Sequence, residues 1–98
     1  MALEVVWTKR AEDGYDKIIK YLVKEWTDRE IRNFILDTKQ FLELLKKNPQ
    51  LLEPSQARKN VFRGPINHLT IVTYRIKPRK QKIELLNIRG ARQKPLKR

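Results

Sequence analysis

The 98-residue chain contains no cysteine. That excludes a disulfide scaffold, a thiolate nucleophile and a cysteine-based zinc site. A single histidine argues against a His-rich metal centre, so neither a metal nor a cofactor is expected. No apolar run approaches the ~18–20 residues of a membrane-spanning helix, and no membrane partner is predicted. The opening MALEVVWTKR lacks the charged start and long apolar stretch of a secretory leader, which predicts a cytoplasmic protein. Acidic residues are scarce in one region only. Residues 57–98 hold thirteen Lys and Arg but a single acid, Glu84, whereas residues 1–56 hold ten of each sign. The net charge of +12 therefore lies entirely in the last 42 residues. Such asymmetry points to a polyanion or an acidic protein as partner.

What is present describes one domain spanning residues 1–98, without repeats or a linker. Hydrophobic residues make up 40% and charged residues 35%, so long charged stems must cover part of a modest core. Leu3, Val5 and Trp7 alternate with Glu4 and Val6, a short strand. Thr8 can cap a helix over about Lys9–Glu25, whose Ala11, Tyr15, Ile18, Ile19, Leu22 and Trp26 share one face. Gly14 interrupts that run. Thr27-Asp28-Arg29-Glu30 is a capping box. It opens a second helix with a stripe of Ile31, Phe34, Ile35, Thr38, Phe41, Leu42 and Leu45, which Asn48-Pro49 ends. The short link predicts a helical hairpin.

Residues 48–56, with two prolines, read as a loop anchored by Leu51 and Leu52. From Ala57 the apolar period becomes two. Arg58–Arg63 reads as a strand, Gly64-Pro65 as a turn, Asn67–Lys77 as a long strand, Pro78–Gln81 as a hairpin loop and Lys82–Arg89 as the last strand. Residues from about 91 to 98 form a basic tail. The order β-α-α-β-β-β predicts an α+β fold, with the helical hairpin on one face of a mainly antiparallel four-stranded sheet and the other face open and positive. Period alone does not say whether the parity of Tyr74 or that of Arg75 faces the helices. The bland reading of the charge, a tail that aids solubility, fits poorly because basic residues continue through the strands.

The element order, the start VVWTKRA, the Ile-Ile-x-Tyr-Leu run at 18–22 and the ending IELLNIRGARQKP resemble the RelE/ParE superfamily of bacterial toxins over nearly the whole chain. The ending, a hydrophobic strand followed by Arg92-Gln93-x-Pro95, resembles ParE-type plasmid-stabilisation proteins most. The resemblance implies the toxin of a type II toxin–antitoxin module, a growth inhibitor held inactive by an acidic antitoxin. In its ParE branch the target is DNA gyrase. In its RelE branch the toxin cuts messenger RNA on the ribosome without metal, which needs a base, an acid and cations around the phosphorane. The nuclease parts here would be His68, Arg63, Tyr74, Arg89 and Arg92. Contacts to target or antitoxin would fall on Arg63, Arg75, Arg89, Arg92 and Gln93. Each has a duller role: His68 on a strand edge, Tyr74 in the core with its hydroxyl at the rim. No Tyr or His follows the last strand, a departure from the nuclease pattern that favours the gyrase branch. A non-toxic basic module binding nucleic acid is a third reading, without a helix-turn-helix, zinc-finger or RNP-like pattern to make it specific.

Overall fold

The computed structural model describes residues 3–91. Its elements are β1 (Glu4–Trp7), α1 (Lys9–Glu25), α2 (Asp28–Lys47), β2 (Glu53–Pro54), β3 (Val61–Asn67), β4 (Thr70–Lys77) and β5 (Lys82–Gly90), with a 3₁₀ turn at Pro78–Lys80. Both helices start where their caps dictate. The Thr8 hydroxyl accepts from the Ala11 amide at 3.2 Å and donates to the Leu85 carbonyl at 2.7 Å, so one side chain caps α1 and ties it to β5. At α2 the capping box closes in both directions: the Glu30 amide donates to Thr27 Oγ1 at 3.2 Å and the Thr27 amide to Glu30 Oε1 at 3.0 Å. A cap of this kind stabilises a helix by ~1 kcal/mol.

The two helices pack on one face of a sheet with order β1-β5-β4-β3-β2, in which β1 runs parallel to β5 and the other pairs are antiparallel. The expected α+β architecture holds, but the sheet has five strands instead of four. The added strand, Glu53–Pro54, lies inside the stretch read as a loop and pairs with Phe62 and Arg63. A strand of two residues, the second a proline, leaves too little periodicity to announce itself.

A second correction concerns Gly64-Pro65. Both lie within β3, opposite Val72 and Ile71, and the chain turns instead at His68-Leu69. Among the described residues no strand pairs with the outer side of β3 beyond Arg63, so Pro65 sits on a sheet edge, where its missing N–H is tolerated. Gly64 points under Leu52, whose side-chain carbons would lie 3.1 Å from an added Cβ. Residues 58–60, read as part of this strand, precede it.

The core is Ala11, Phe41, Leu45, Phe62, Val72, Tyr74, Ile83, Leu85 and Ile88, all buried. Aromatic contacts extend it to the edge of the helical layer: Trp7 meets the Tyr15 ring edge-on at 5.4 Å, and Tyr15 stacks on Phe34 at 5.6 Å. The Tyr15 hydroxyl donates to Thr38 Oγ1 at 3.2 Å, and Thr38 in turn donates to the Phe34 carbonyl at 3.1 Å. Gly14 lets α1 lie close against β5, since a Cβ there would overlap the Ile88 carbonyl oxygen. Among the described residues no helix is long and apolar enough to cross a membrane.

Candidate functional site

The open face of the sheet is set by two facts of register. In β4 the even positions Thr70, Val72 and Tyr74 are fully buried, whereas Ile71, Thr73, Arg75 and Lys77 are partly exposed. The helices therefore cover the Tyr74 parity and leave the Arg75 parity open. In β5 the pairing runs Glu84 with Arg75 and Leu85 with Tyr74, then resumes at Asn87 with Thr73, leaving Leu86 as an extra residue. This bulge reverses the parity of the strand. Ile83 and Leu85 point to the helices before it, and Ile88 does so after it. Asn87 and Arg89 consequently join the open face, although simple alternation from Ile83 would have sent Arg89 into the core.

Two cross-strand rows result. Arg63, Thr73 and Asn87 stand opposite one another on β3, β4 and β5, and Pro65, Ile71 and Arg89 form the next row. Arg75 stands opposite Glu84. Among the described residues none of Arg63, Arg75 and Arg89 has a carboxylate within ion-pair distance, while Lys77 reaches Glu84 at 3.6 Å. These arginines are thus available to an external anion.

At the end of the first row lies an open depression of about 570 Å³. Glu53, Arg63, Pro65, Asn67, His68 and Ile71 contribute to its lining. Asn67 Oδ1 accepts from the Leu69 amide at 2.9 Å, and the Ala91 amide donates to the Leu69 carbonyl at 2.8 Å. These bonds hold the two-residue turn that exposes His68. The depression therefore joins two of the residues singled out in the sequence, Arg63 and His68. Arg89 is one cross-strand partner away, opposite Ile71.

Tyr74 is not among them. It lies on the other face, 0% exposed, stacked on Phe62 at 5.4 Å. Its hydroxyl donates to the Pro49 carbonyl at 2.7 Å and accepts from the Leu52 amide at 3.5 Å. Burial raises its pKa above the ordinary tyrosine value, which the hydrogen bond from Leu52 partly offsets. Arg92 and Gln93 lie outside the described residues. Glu53 and Asn67 were missed as site residues. Nothing in the sequence marks them, because Glu53 reaches the open face only through the two-residue pairing of β2 with β3. Among the described residues no three His, Cys, Asp or Glu side chains gather closely enough to hold a metal ion.

Residues 5–95 match the family described as the ParE toxin of type II toxin–antitoxin system, parDE. No curated protein matches the chain. Among solved structures, the chromosomal ParDE toxin–antitoxin system from P. aeruginosa is similar with a TM-score of 0.72 at 18% identity, covering 91% of this chain and 96% of that one. The isolated E. coli RelE toxin gives a TM-score of 0.65 at 9% identity, covering 96% and 89%. The toxin–antitoxin complex RelBE2 from Mycobacterium tuberculosis gives 0.63 at 15% identity, covering 92% and 99%. At these identities the structural likeness establishes the fold, and activity must be argued from the site.

Proposed function

Because the chain belongs to the ParE toxin family of type II toxin–antitoxin systems, we propose that it arrests bacterial growth by acting on DNA gyrase. A cognate acidic antitoxin made beside it would neutralise it in the cytoplasm, and the pair would stabilise the plasmid or locus that carries it. The observation that carries the choice of target is the position of Tyr74. Its hydroxyl is held inside the helical face by Pro49 and Leu52, so it cannot serve an RNA bound on the arginine-bearing face. The open face is then a cationic docking surface, with Arg63, Arg75 and Arg89 as its described contacts and Arg92 and Gln93 as further ones. An acidic segment that folds as it binds could cover such a surface, with charge complementarity speeding encounter.

One observation favours the second reading, a RelE-like ribosome-dependent messenger RNA endonuclease free of metal. The depression brings a carboxyl group, Glu53, and an imidazole, His68, to the same opening as Arg63. In that chemistry one side chain removes the 2′-hydroxyl proton, the other protonates the leaving oxygen, and the arginine offsets phosphorane charge.

Inducing the protein in a bacterial host separates the two. The gyrase reading expects lost plasmid supercoiling and a DNA-damage response with messenger RNA intact. Primer extension revealing cuts at ribosomal A-site codons, with supercoiling preserved, would replace it by the nuclease.

A further inference from the structure

The hairpin joining β4 and β5 carries a cluster of charge that neither reading uses. Lys77 and Lys82 are Cα partners across the two strands, a like-charge pair that costs stability. Between them the 3₁₀ turn Pro78–Lys80 exposes Arg79 and Lys80, so four cations fall within six residues. The carboxylates that face this group are Glu84, 3.6 Å from Lys77 Nζ, and Glu4, the Cα partner of Lys82 on β1. Both sit on the strands below the turn. Among the described residues Arg79 and Lys80 form no ion pair.

The turn is also held in one shape. The Gln81 amide donates to the Pro78 carbonyl at 3.2 Å, and the Gln81 carbonyl accepts from the Glu4 amide at 3.1 Å. Gln81 itself has φ 54°, a left-handed conformation that a non-glycine residue adopts at a cost. A like-charge pair and a strained residue are therefore both maintained at the tip.

The kind of partner follows from what the tip lacks. The exposed large apolar side chains among the described residues, Tyr21, Val23, Ile35, Leu36 and Leu44, all lie on the helices. Protein interfaces are anchored by aromatic and apolar side chains, and lysine is depleted from them. A phosphodiester backbone needs cations alone. The major groove of B-form DNA admits a two-stranded β-ribbon, whereas that of A-form RNA is too deep and narrow.

We propose that the β4–β5 hairpin tip is a contact for duplex DNA, in which Lys77, Arg79, Lys80 and Lys82 hold backbone phosphates without reading sequence. The tip lies at the far end of β4 from the depression lined by His68 and Ile71, and the inference does not depend on which toxin target is correct.

The test is fluorescence anisotropy of the purified chain with a labelled DNA duplex of arbitrary sequence, over a range of salt concentrations. The double variant Arg79→Gln/Lys80→Gln should reduce the slope of log K against log salt by about 1.8, because each phosphate left unneutralised removes ~0.9. Lys39→Gln/Lys47→Gln, the same charge change on exposed α2 positions, should leave the slope unchanged. Both pairs are at the surface, and circular dichroism checks that they fold alike. The proposal is overturned by an unchanged slope in the tip variant, by an equal drop in the α2 variant, or by no DNA binding at low salt. Tighter binding to an RNA duplex of the same sequence, or to a polyglutamate peptide, overturns it as well.

Discussion

The Tyr74 hydroxyl donates a 2.7 Å hydrogen bond to the Pro49 carbonyl, fastening the loop after α2 to the middle of the sheet. The Leu52 amide donates to the Tyr74 hydroxyl oxygen at 3.5 Å, just before the chain enters β2 and delivers Glu53 to the open face. A residue whose chemistry suggested catalysis therefore works as a strut.

Tyr74→Phe keeps the stacking on Phe62 and removes only the hydroxyl. Its expected cost is about 1 kcal/mol of stability, the net value of one intramolecular hydrogen bond, with growth arrest on induction unchanged. Chemical denaturation and a growth assay check both. Alkaline pH adds a second readout. The folded pKa of Tyr74 lies above the unfolded value of 10.0, so the unfolded chain releases this proton first as pH rises. The tyrosine's contribution is complete below about pH 10 and is lost as pH climbs through the folded pKa. Stability of the Phe variant should fall less steeply than that of the parent in this range.

Gly14 gives an opposite kind of case. In a helix interior glycine costs ~1 kcal/mol relative to alanine, so Gly14→Ala would stabilise an exposed helix. Here the added methyl would overlap the Ile88 carbonyl oxygen of β5, a backbone atom that cannot swing aside. Displacing α1 from the sheet should instead cost about 1–3 kcal/mol. A rise in Tm on Gly14→Ala would show that α1 does not lie this close to β5.

These two residues also mark where the sequence was legible. The helices were readable because local signals agree: Thr8 and Thr27 at the caps, and a stripe of Phe34, Thr38, Phe41 and Leu45 at one spacing. Strands β1, β4 and β5 were readable from alternation, but β2 and the full extent of β3 were not, nor were the strands' partners and faces. Val72 and Tyr74 on one parity, Ile71 and Thr73 on the other, are equally compatible with burial. Only the packed helices choose between them. The bulge at Leu86 is less legible still, because it changes parity inside an unbroken apolar strand. It is the reason Arg89 shares a face with Arg63. Gly64-Pro65 has the composition of a turn but is strand through its pairing with Val72 and Ile71, tolerated on a side that no strand covers among the described residues. The depression combines residues from β2, the β3–β4 turn and β3, a grouping that exists only once the sheet has formed.

The buried stripe of α2 sets a third expectation. Phe34 is 2% and Phe41 9% exposed, and Phe34 stacks on Tyr15. Phe34→Ala and Phe41→Ala should each lose ~3–5 kcal/mol, the transfer and cavity cost of a buried aromatic ring. Urea titrations of the two variants measure this. A loss below about 1 kcal/mol for both would mean that this face of α2 is not packed on the sheet and awaits a partner.

The open-face arginines supply the prediction on which the choice of target turns. If the face docks onto gyrase through charge, Arg63→Ala and Arg89→Ala each remove a charge-assisted contact worth ~1.5–3 kcal/mol. Each should then weaken supercoiling inhibition by at least about tenfold, since ~1.4 kcal/mol is one decade. His68→Ala should leave inhibition within about twofold, because an exposed turn residue adds little to a charge-driven surface. The nuclease reading reverses that order. Loss of an acid or base would lower cleavage by ~10²–10⁴, so His68→Ala and Glu53→Gln would become the most damaging changes. Toxicity of the four variants, scored beside DNA supercoiling and messenger RNA integrity in the same cells, gives a ranking in which the two mechanisms predict different residues at the top.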